Sequence, residues 1–287
     1  MKLSRTMAGV RPFVHDDIPS VAALHWRVFE GSPLPSRFES DYCAYFKDVY
    51  LDGPGREQTV ESLVSEESGK ITGFLGVVPR HMTWQGSPVL AAVATNFAVS
   101  PESRGLAGVK LLGAFLAGGQ DFSIADRAVS VSRKAWEGLG GRTSLFHSVR
   151  WLCVLSPARA ALDMLGRRRG LLMASRVLSP AGRAMDALVS RIPKGPFQRI
   201  KSQLSAKPLD PSVILSHADE LLKTFPLRTA YDEISLAWML RRAEGMKSKG
   251  PLQKVLLSEP HGKIVGWYLY YAKSGGIGEV LQIAAQE

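Results

Sequence analysis

The sequence predicts an α/β (α+β) chain: a mixed, twisted central sheet flanked by helices, then a helical connector, then part of a second unit of similar design. Three observations carry this reading. Apolar strand-like runs alternate with runs of helical periodicity along most of the chain. One strand, residues 89–99, stops at Pro101 and passes through Arg104-Gly105-Leu106-Ala107-Gly108 into a helix over 109–116. Finally, a hairpin occurs twice: Ser65-Glu66-Glu67-Ser68-Gly69-Lys70-Ile71-Thr72-Gly73 returns at the same spacing as Ser258-Glu259-Pro260-His261-Gly262-Lys263-Ile264-Val265-Gly266.

In chain order, residues 10–14 form a short strand, followed by a turn at His15-Asp16-Asp17. Ile18, Val21, Leu24, Val28 and Phe29 recur at helical spacing, with Asp16 or Asp17 as the N-cap. A Pro-broken loop (31–35) leads to an aromatic helix around Tyr42, Tyr45 and Phe46. Strands at 59–65 and 71–78 enclose the first hairpin turn. After the 89–99 strand and its helix come a strand at 122–131, a short helix at 133–139 ended by Gly140-Gly141, and a strand at 145–155. The second hairpin is again preceded by helix-like sequence, and 279–285 takes the place of the strand before the Pro101 turn. The predicted domains are 1–158, a basic connector at 159–207, and a partial second unit at 208–287.

Bulk properties narrow the function classes. The 287 residues are 45% hydrophobic and 22% charged, as in an ordinary globular protein. Neither a secretion-type apolar stretch after Met1-Lys2-Leu3 nor a long uninterrupted apolar run is visible, so a cytoplasmic protein is expected. Cys43 and Cys153 read as reduced core residues. The net charge of +10 is concentrated: residues 151–207 hold eleven basic side chains against Asp163 and Asp186. Arg167-Arg168-Arg169 with Leu171, Leu172, Met173 and Val177 has the pattern of a basic amphipathic helix, limited by Pro180 and Pro193 to about a dozen residues. It reads either as a solvated connector or as a peripheral membrane contact. With Phe197 the lone aromatic between 158 and 207, base stacking finds little support there.

The Pro101 turn carries chemistry. Proline withdraws an N–H from the ladder, and the glycines let the backbone turn closely into a helix whose first N–H groups lack intrahelical acceptors. That positive helix end, beside the planar cation of Arg104, suits a pyrophosphate. No G-K-[ST] follows, so this is not a Walker A loop.

Taken in order, Arg11-Pro12 with Asp17, Gly69-Lys70-Ile71-x-Gly73, Val99-x-Pro101-x-x-Arg104-Gly105 and Ala135-Trp136-Glu137-Gly138-Leu139-Gly140 resemble the GNAT N-acyltransferase superfamily. The resemblance covers about 9–155, and 208–287 is similar to the front half of a second such domain. It implies transfer of an acyl group from acetyl-CoA or another acyl-CoA to an amine acceptor. Pantetheine would pair with the strand edge at Phe97, Ala98 and Val99, whose N–H groups would polarise the thioester carbonyl, worth about 3 kcal/mol per donor. Arg104, Gly105, Leu106, Ala107, Gly108 and Val109 would hold the pyrophosphate.

The chain departs from the family pattern at two places. Ala107 and Val109 occupy cradle positions usually held by glycine or a small residue, with Gly108 displaced between them. Trp136 stands where a tyrosine acid is common, and an indole N–H is no acid. A CoA thiol of pKa about 8.5 leaves as thiolate without one, and Ser130 or Ser132 is placed to hydrogen-bond the sulfur. The candidates for base or acceptor positioning are Asn96, His81 and His147. Tyr42, Tyr45 and Phe46 either line the acceptor pocket or pack the core. Two other classes stay open: a non-catalytic CoA-binding or scaffold relative, and a relative of the tRNA-dependent aminoacyl transferases.

Overall fold

The structure, a computed structural model, describes residues 9–55, 60–103, 105–166, 172–192, 195, 197, 202–273 and 276–285. Contacts divide them into two compact units, Met1–Arg142 with Ala206–Glu287, and Thr143–Ser205.

The first unit is mixed α/β, the class the sequence predicts. Its elements run β1 (Val10–Pro12), α1 (Ile18–Glu30), α2 (Ser36–Tyr50), β2 (Leu63–Glu67), β3 (Lys70–Trp84), β4 (Ser87–Val99), α3 (Leu106–Leu116), β5 (Phe122–Ala125) and α4 (Ser130–Gly138). The strands lie in the order β1-β2-β3-β4-β5, antiparallel except for the parallel β4–β5 pair. Ser68 and Gly69 turn the β2–β3 hairpin, both at positive φ (50° and 74°), the requirement of a tight hairpin turn whose twist matches the strands. Successive β3 residues serve opposite faces. Phe74 packs with Val21, Leu24, Phe46 and Tyr50 under α1 and α2, whereas Leu75 and Val77 pack with Leu111, Leu112 and Phe115 of α3.

Asp17 does precede the first long helix, but its carboxylate does not cap it. Instead it accepts hydrogen bonds from Arg11 at 2.7 and 2.9 Å and from the Val14 N–H at 3.0 Å. Burial alone would raise the Asp17 pKa; the Arg11 and Val14 donors outweigh it and hold the carboxyl below its usual value. This clasp closes β1 onto the start of α1.

A second sheet follows, made of β6 (Ser205–Pro208), β8 (Leu252–Ser258), β9 (Ile264–Tyr271) and β10 (Glu279–Ala285) in the order β6-β8-β9-β10. It is covered by α7 (Pro211–Leu221) and α8 (Glu233–Glu244), both N-capped by aspartates: Asp210 accepts from the Ser212 N–H and Asp232 from the Ser235 N–H. The repeated hairpin thus lies at the corresponding place of each sheet. Between the helices, β7 (Leu227–Thr229) leaves this sheet and pairs with Met82–Trp84 at the far end of β3. The hairpin repeat gives no hint of this exchange, which joins the two halves into one body.

The other unit holds α5 (Pro157–Gly166) and α6 (Leu172–Val189). Buried Asp186 of α6 accepts from the Ala158 and Arg159 N–H groups at 2.8 and 3.2 Å, satisfying the open end of α5. Arg167, Arg168, Arg169 and Leu171 lie outside the described residues.

Several sequence expectations are corrected. The strand expected at 122–131 ends at Ala125, and Ser130 already starts α4. No strand forms at 145–155; Phe146–Ser148 is a short 3-10 turn, and Trp151 is 89% exposed. Its unit contributes helices, not a sheet edge, among the described residues, and an apolar run becomes a strand only where a ladder can receive it. Helix α6 runs through Pro180 rather than stopping there; one lost hydrogen bond is offset by packing against α5. Cys153 is exposed and Cys43 half-buried, both free, so Cys153 is not a core residue. Among the described residues no helix is long and apolar enough to cross a membrane.

Candidate functional site

The sheet is interrupted at one place. Gly76 pairs with Thr95 and Phe74 with Ala98, so Asn96 and Phe97 together oppose Leu75. This is a β-bulge, and Asn96 takes the left-handed conformation it needs, at φ 49°. Asparagine tolerates that region better than other side-chain-bearing residues. The extra residue has a directional effect. Thr95 and Asn96 both face α2, while Phe97 and Val99 return to the α3 face with Leu75 and Val77.

The edge of β4 changes at the same point. Strand β5 pairs in parallel with Ala91 to Ala94 and then ends at Ala125. From Thr95 to Val99, β4 has no partner on that side among the described residues, and its N–H and C=O groups there are open to an extended ligand.

On the α2 face Asn96 donates from Nδ2 to the Tyr50 hydroxyl at 2.7 Å and the Tyr45 hydroxyl at 3.0 Å. Tyr50 is buried, and this burial pushes its pKa well up, so it remains a neutral hydroxyl. Its ring fits only because residue 76 is glycine: a Cβ there would lie 2.5 Å from Tyr50 Cε1. Behind Tyr45, His25 of α1 packs on Phe29, Tyr42 and Phe46. Burial lowers its pKa, leaving a neutral imidazole at pH 7. Val93, Thr95 and Asn96 remain half-buried, so this stretch of β4 keeps part of its surface open to solvent.

The second half supplies a wall. From α8, Trp238 donates its Nε1–H to Asp48 at 3.2 Å and Arg242 pairs with the same carboxylate at 3.2 Å. The Arg242 guanidinium also lies 5.0 Å from the Tyr45 ring centre. On β3, Arg80 shares the Thr95 face and stacks toward Trp238 at 5.8 Å.

After Pro101 the chain reaches α3, one turn earlier than the sequence suggests. Gly105 precedes it at φ 104°, a conformation that requires glycine. No side chain caps this end. Val109 N–H is taken by the Gly105 carbonyl at 3.1 Å, so the open first-turn positions are Leu106, Ala107 and Gly108. Gly108 approaches Phe97: a Cβ there would touch its ring at 3.4 Å. Arg104 lies outside the described residues.

Of the residues singled out from sequence, the structure brings together Asn96 and Tyr45 on the groove side, and Phe97, Ala98 and Val99 beside the cradle. Ser132 is half-buried in the first turn of α4. His81 pairs with Leu90, roughly 20 Å along the strand from Asn96 at ~3.3 Å per residue. His147 belongs to the other unit, in the 3-10 turn, where Ser144 contacts its Nδ1 at 2.8 Å. Trp136 packs edge-on against Phe115 at 5.7 Å. Sequence reasoning missed Tyr50, His25, Arg80, Trp238 and Arg242. The signal for His25 was a polar residue set among Leu24, Trp26 and Phe29; nothing local marks the α8 residues.

No protein-family model and no curated protein matches the sequence. Among solved structures, the fold is similar to a conserved protein of unknown function, probable N-acyltransferase, from Enterococcus faecalis (12% identity, TM-score 0.48). It is equally similar to a GCN5-related N-acetyltransferase from Anabaena variabilis (12%, 0.48). In each case the match covers 97% of this chain, which spans 58% of the other's length. A predicted acetyltransferase from Clostridium acetobutylicum, solved with acetyl-CoA, matches 50% of this chain and 94% of its own (15%, 0.38).

Proposed function

We propose that this chain is an acyl-CoA-dependent N-acyltransferase whose chemistry is done by its first part, residues 1–158, with 159–207 as connector and 208–287 as a partial second unit built onto the first. The observation that carries the reading is the release of β4 by β5 at Ala94, followed by the Asn96 bulge and the glycine-led helix. An open strand edge running into an uncapped helix end fits a ligand with an amide-bearing arm and a pyrophosphate. Acyl-CoA would supply the activated thioester and a thiolate leaving group.

The chain's own residues divide the remaining work. Phe97, Ala98 and Val99 present backbone groups to the pantetheine arm and the thioester carbonyl. Gly105, Leu106, Ala107 and Gly108 receive the pyrophosphate, with Arg104 as its cationic partner. Asn96, held by Tyr45 and Tyr50, positions the acceptor amine in the groove; holding both reactants against one strand removes much of the entropic barrier. The amine attacks the carbonyl carbon, the C–S bond breaks toward sulfur, and the amine proton leaves through water in the half-exposed groove. Ser132 is assigned to the sulfur side, while His81, one residue on from Arg80 and so on the opposite face of β3 from Thr95, takes no part.

Calorimetric titration with acetyl-CoA and thiol release across an amine panel test this directly. Absence of binding at millimolar acetyl-CoA overturns it. Binding without turnover supports the second reading, a CoA-binding relative, which the packing of Trp136 in the tyrosine position favours.

A further inference from the structure

The helical unit differs from the rest of the chain in both charge and surface. By sequence, residues 143–205 hold eleven basic side chains and two acids, so this unit carries nine of the chain's ten formal positive charges. One of those acids, Asp186, is buried and engaged with the α5 N–H groups. Among the described residues Arg150, Arg183 and Arg191 are exposed and form no ion pair. The same unit shows apolar surface. Leu145, Phe146, Trp151, Leu152 and Leu155 are each between 76 and 89% exposed. Apart from the 3-10 turn at Phe146–Ser148, their run lies in neither a helix nor a strand. Helix α6 adds Leu178, Met185 and Leu188, exposed within an arc of about 80° at ~100° per residue. Gly182 and Asp186, on another side of that helix, face α5.

Exposed apolar surface of this extent marks a contact rather than an ordinary exterior, and its chemistry restricts the occupant. A second copy of the chain would set two strongly basic units face to face, which like-charge repulsion opposes. Nucleic acid would meet the charge but not the side chains: bases stack on aromatic rings, whereas leucine and valine predominate between 145 and 155. An anionic lipid surface meets both, since headgroups attract arginines and the acyl boundary takes up leucines. The segment also fits only at that depth. Outside the short turn its backbone N–H and C=O groups join no helix or ladder, so they cannot enter the hydrocarbon core. Trp151, an apolar ring with one N–H donor, suits the headgroup level.

We propose that residues 145–155 are an interfacial anchor that seats the protein on an anionic bilayer surface. Trp151 and its neighbouring leucines enter the interfacial layer. Arg150, in the middle of the run, keeps its guanidinium among the headgroups while its stem lies along the apolar boundary. The other basic residues of the unit add long-range attraction that salt screens. Attachment is peripheral and reversible: eleven residues with a central arginine do not make a spanning helix. The anchor does not rest on the acyltransferase reading, and either can fail alone.

The test uses the full chain and two kinds of vesicle, phosphatidylcholine alone and phosphatidylcholine with about 30% phosphatidylglycerol, separated by flotation at low and high salt. We expect binding to the anionic vesicles at least about tenfold tighter than to the neutral ones, and weaker at high salt. Arg150→Gln should reduce it about fivefold and Trp151→Ser at least about tenfold. Both should keep the parent's melting temperature, since neither side chain is buried. Brominated lipid should quench tryptophan fluorescence in the parent, and Trp151→Phe should lose most of that quenching while still binding. Absence of vesicle binding, equal binding to both vesicles, or binding unaffected by Trp151→Ser overturns the proposal. Quenching that persists undiminished in Trp151→Phe overturns it too. Sedimentation velocity and a tRNA titration address the other occupants. Self-association or RNA binding by a chain that leaves vesicles unbound assigns the surface to that partner and removes the lipid anchor.

Discussion

The two sheets share a strand order and a repeated hairpin, yet one carries an asparagine–tyrosine cluster and the other an apolar core. Continuing the repeat along the strands sets Phe74 against Trp267 and Gly76 against Leu269. In the first sheet Gly76 gives its space to Tyr50, whose hydroxyl reaches Asn96. In the second, Leu269 is 4% exposed and packs with Ile214, Leu221, Leu236 and Leu240. On the α2 face of the first sheet Gly76 makes room for Tyr50, while on the α3 face Gly73, Ala92 and Ala94 let Leu111 and its neighbours approach. The large residues of the second, Trp267, Leu269 and Tyr271, fill the equivalent space. Side-chain volume at these strand positions thus decides which sheet admits tyrosine rings and which closes into an apolar core.

The strongest way to break this comparison is Leu269→Ala. It should cost about 2–5 kcal/mol of stability, seen as a lower urea midpoint, because a packed core relaxes only in part around the cavity. A loss under about 1 kcal/mol would mean the second sheet is not the tightly packed copy. Next is Asn96→Gly, which keeps the left-handed backbone but removes the amide. We expect acyl transfer to fall about 100-fold, equivalent to ~2.7 kcal/mol, with little change in melting temperature. Unchanged turnover would move the acceptor site elsewhere.

Gly76→Ala sharpens the volume argument. The new methyl meets the buried Tyr50 ring, so a loss of about 1–3 kcal/mol is expected, accompanied by weaker acceptor binding as Tyr50 shifts from Asn96. Kinetics with stability intact would show that the ring has room to give.

Smallest is the effect of the Asp17 clasp, which has no counterpart among the described residues of the second half. Its native pKa lies below the unfolded value of about 4, so its contribution is present above that pH and is lost as pH falls through the native pKa. Asp17→Asn should therefore cost about 1 kcal/mol at pH 7 and flatten the stability curve below pH 4. Identical curves for variant and parent would assign acid sensitivity to other carboxylates.

How far the sequence is legible depends on how local the information is. The hairpin turns, the Pro101 break and the helix periodicities are local, and each lies within a residue or a few of its expected place. Asn96 was legible as a polar residue in an apolar strand. Its bulge was not, because a register shift depends on how β3 meets β4. Residues 145–155 mislead for a related reason: apolar composition states a need for burial but does not name a partner. Nothing local in the sequence sets Tyr50 apart; its role follows from Gly76, which lies beneath its ring only in the folded chain.

By itself the sequence determined the α/β class, the duplicated hairpin and the glycine-led turn into α3. These follow from backbone geometry and periodicity, which neighbouring residues specify. Tertiary structure alone decided that β5 releases β4 after Ala94, that β7 crosses to the first sheet, and that α8 brings Trp238 and Arg242 against Asp48. Those contacts join residues up to 190 positions apart, and their energy exists only once both halves have folded together. The turn after Val99 is thus written in neighbouring residues, while the Trp238 ring beside Arg80 comes from a helix near the other end of the chain.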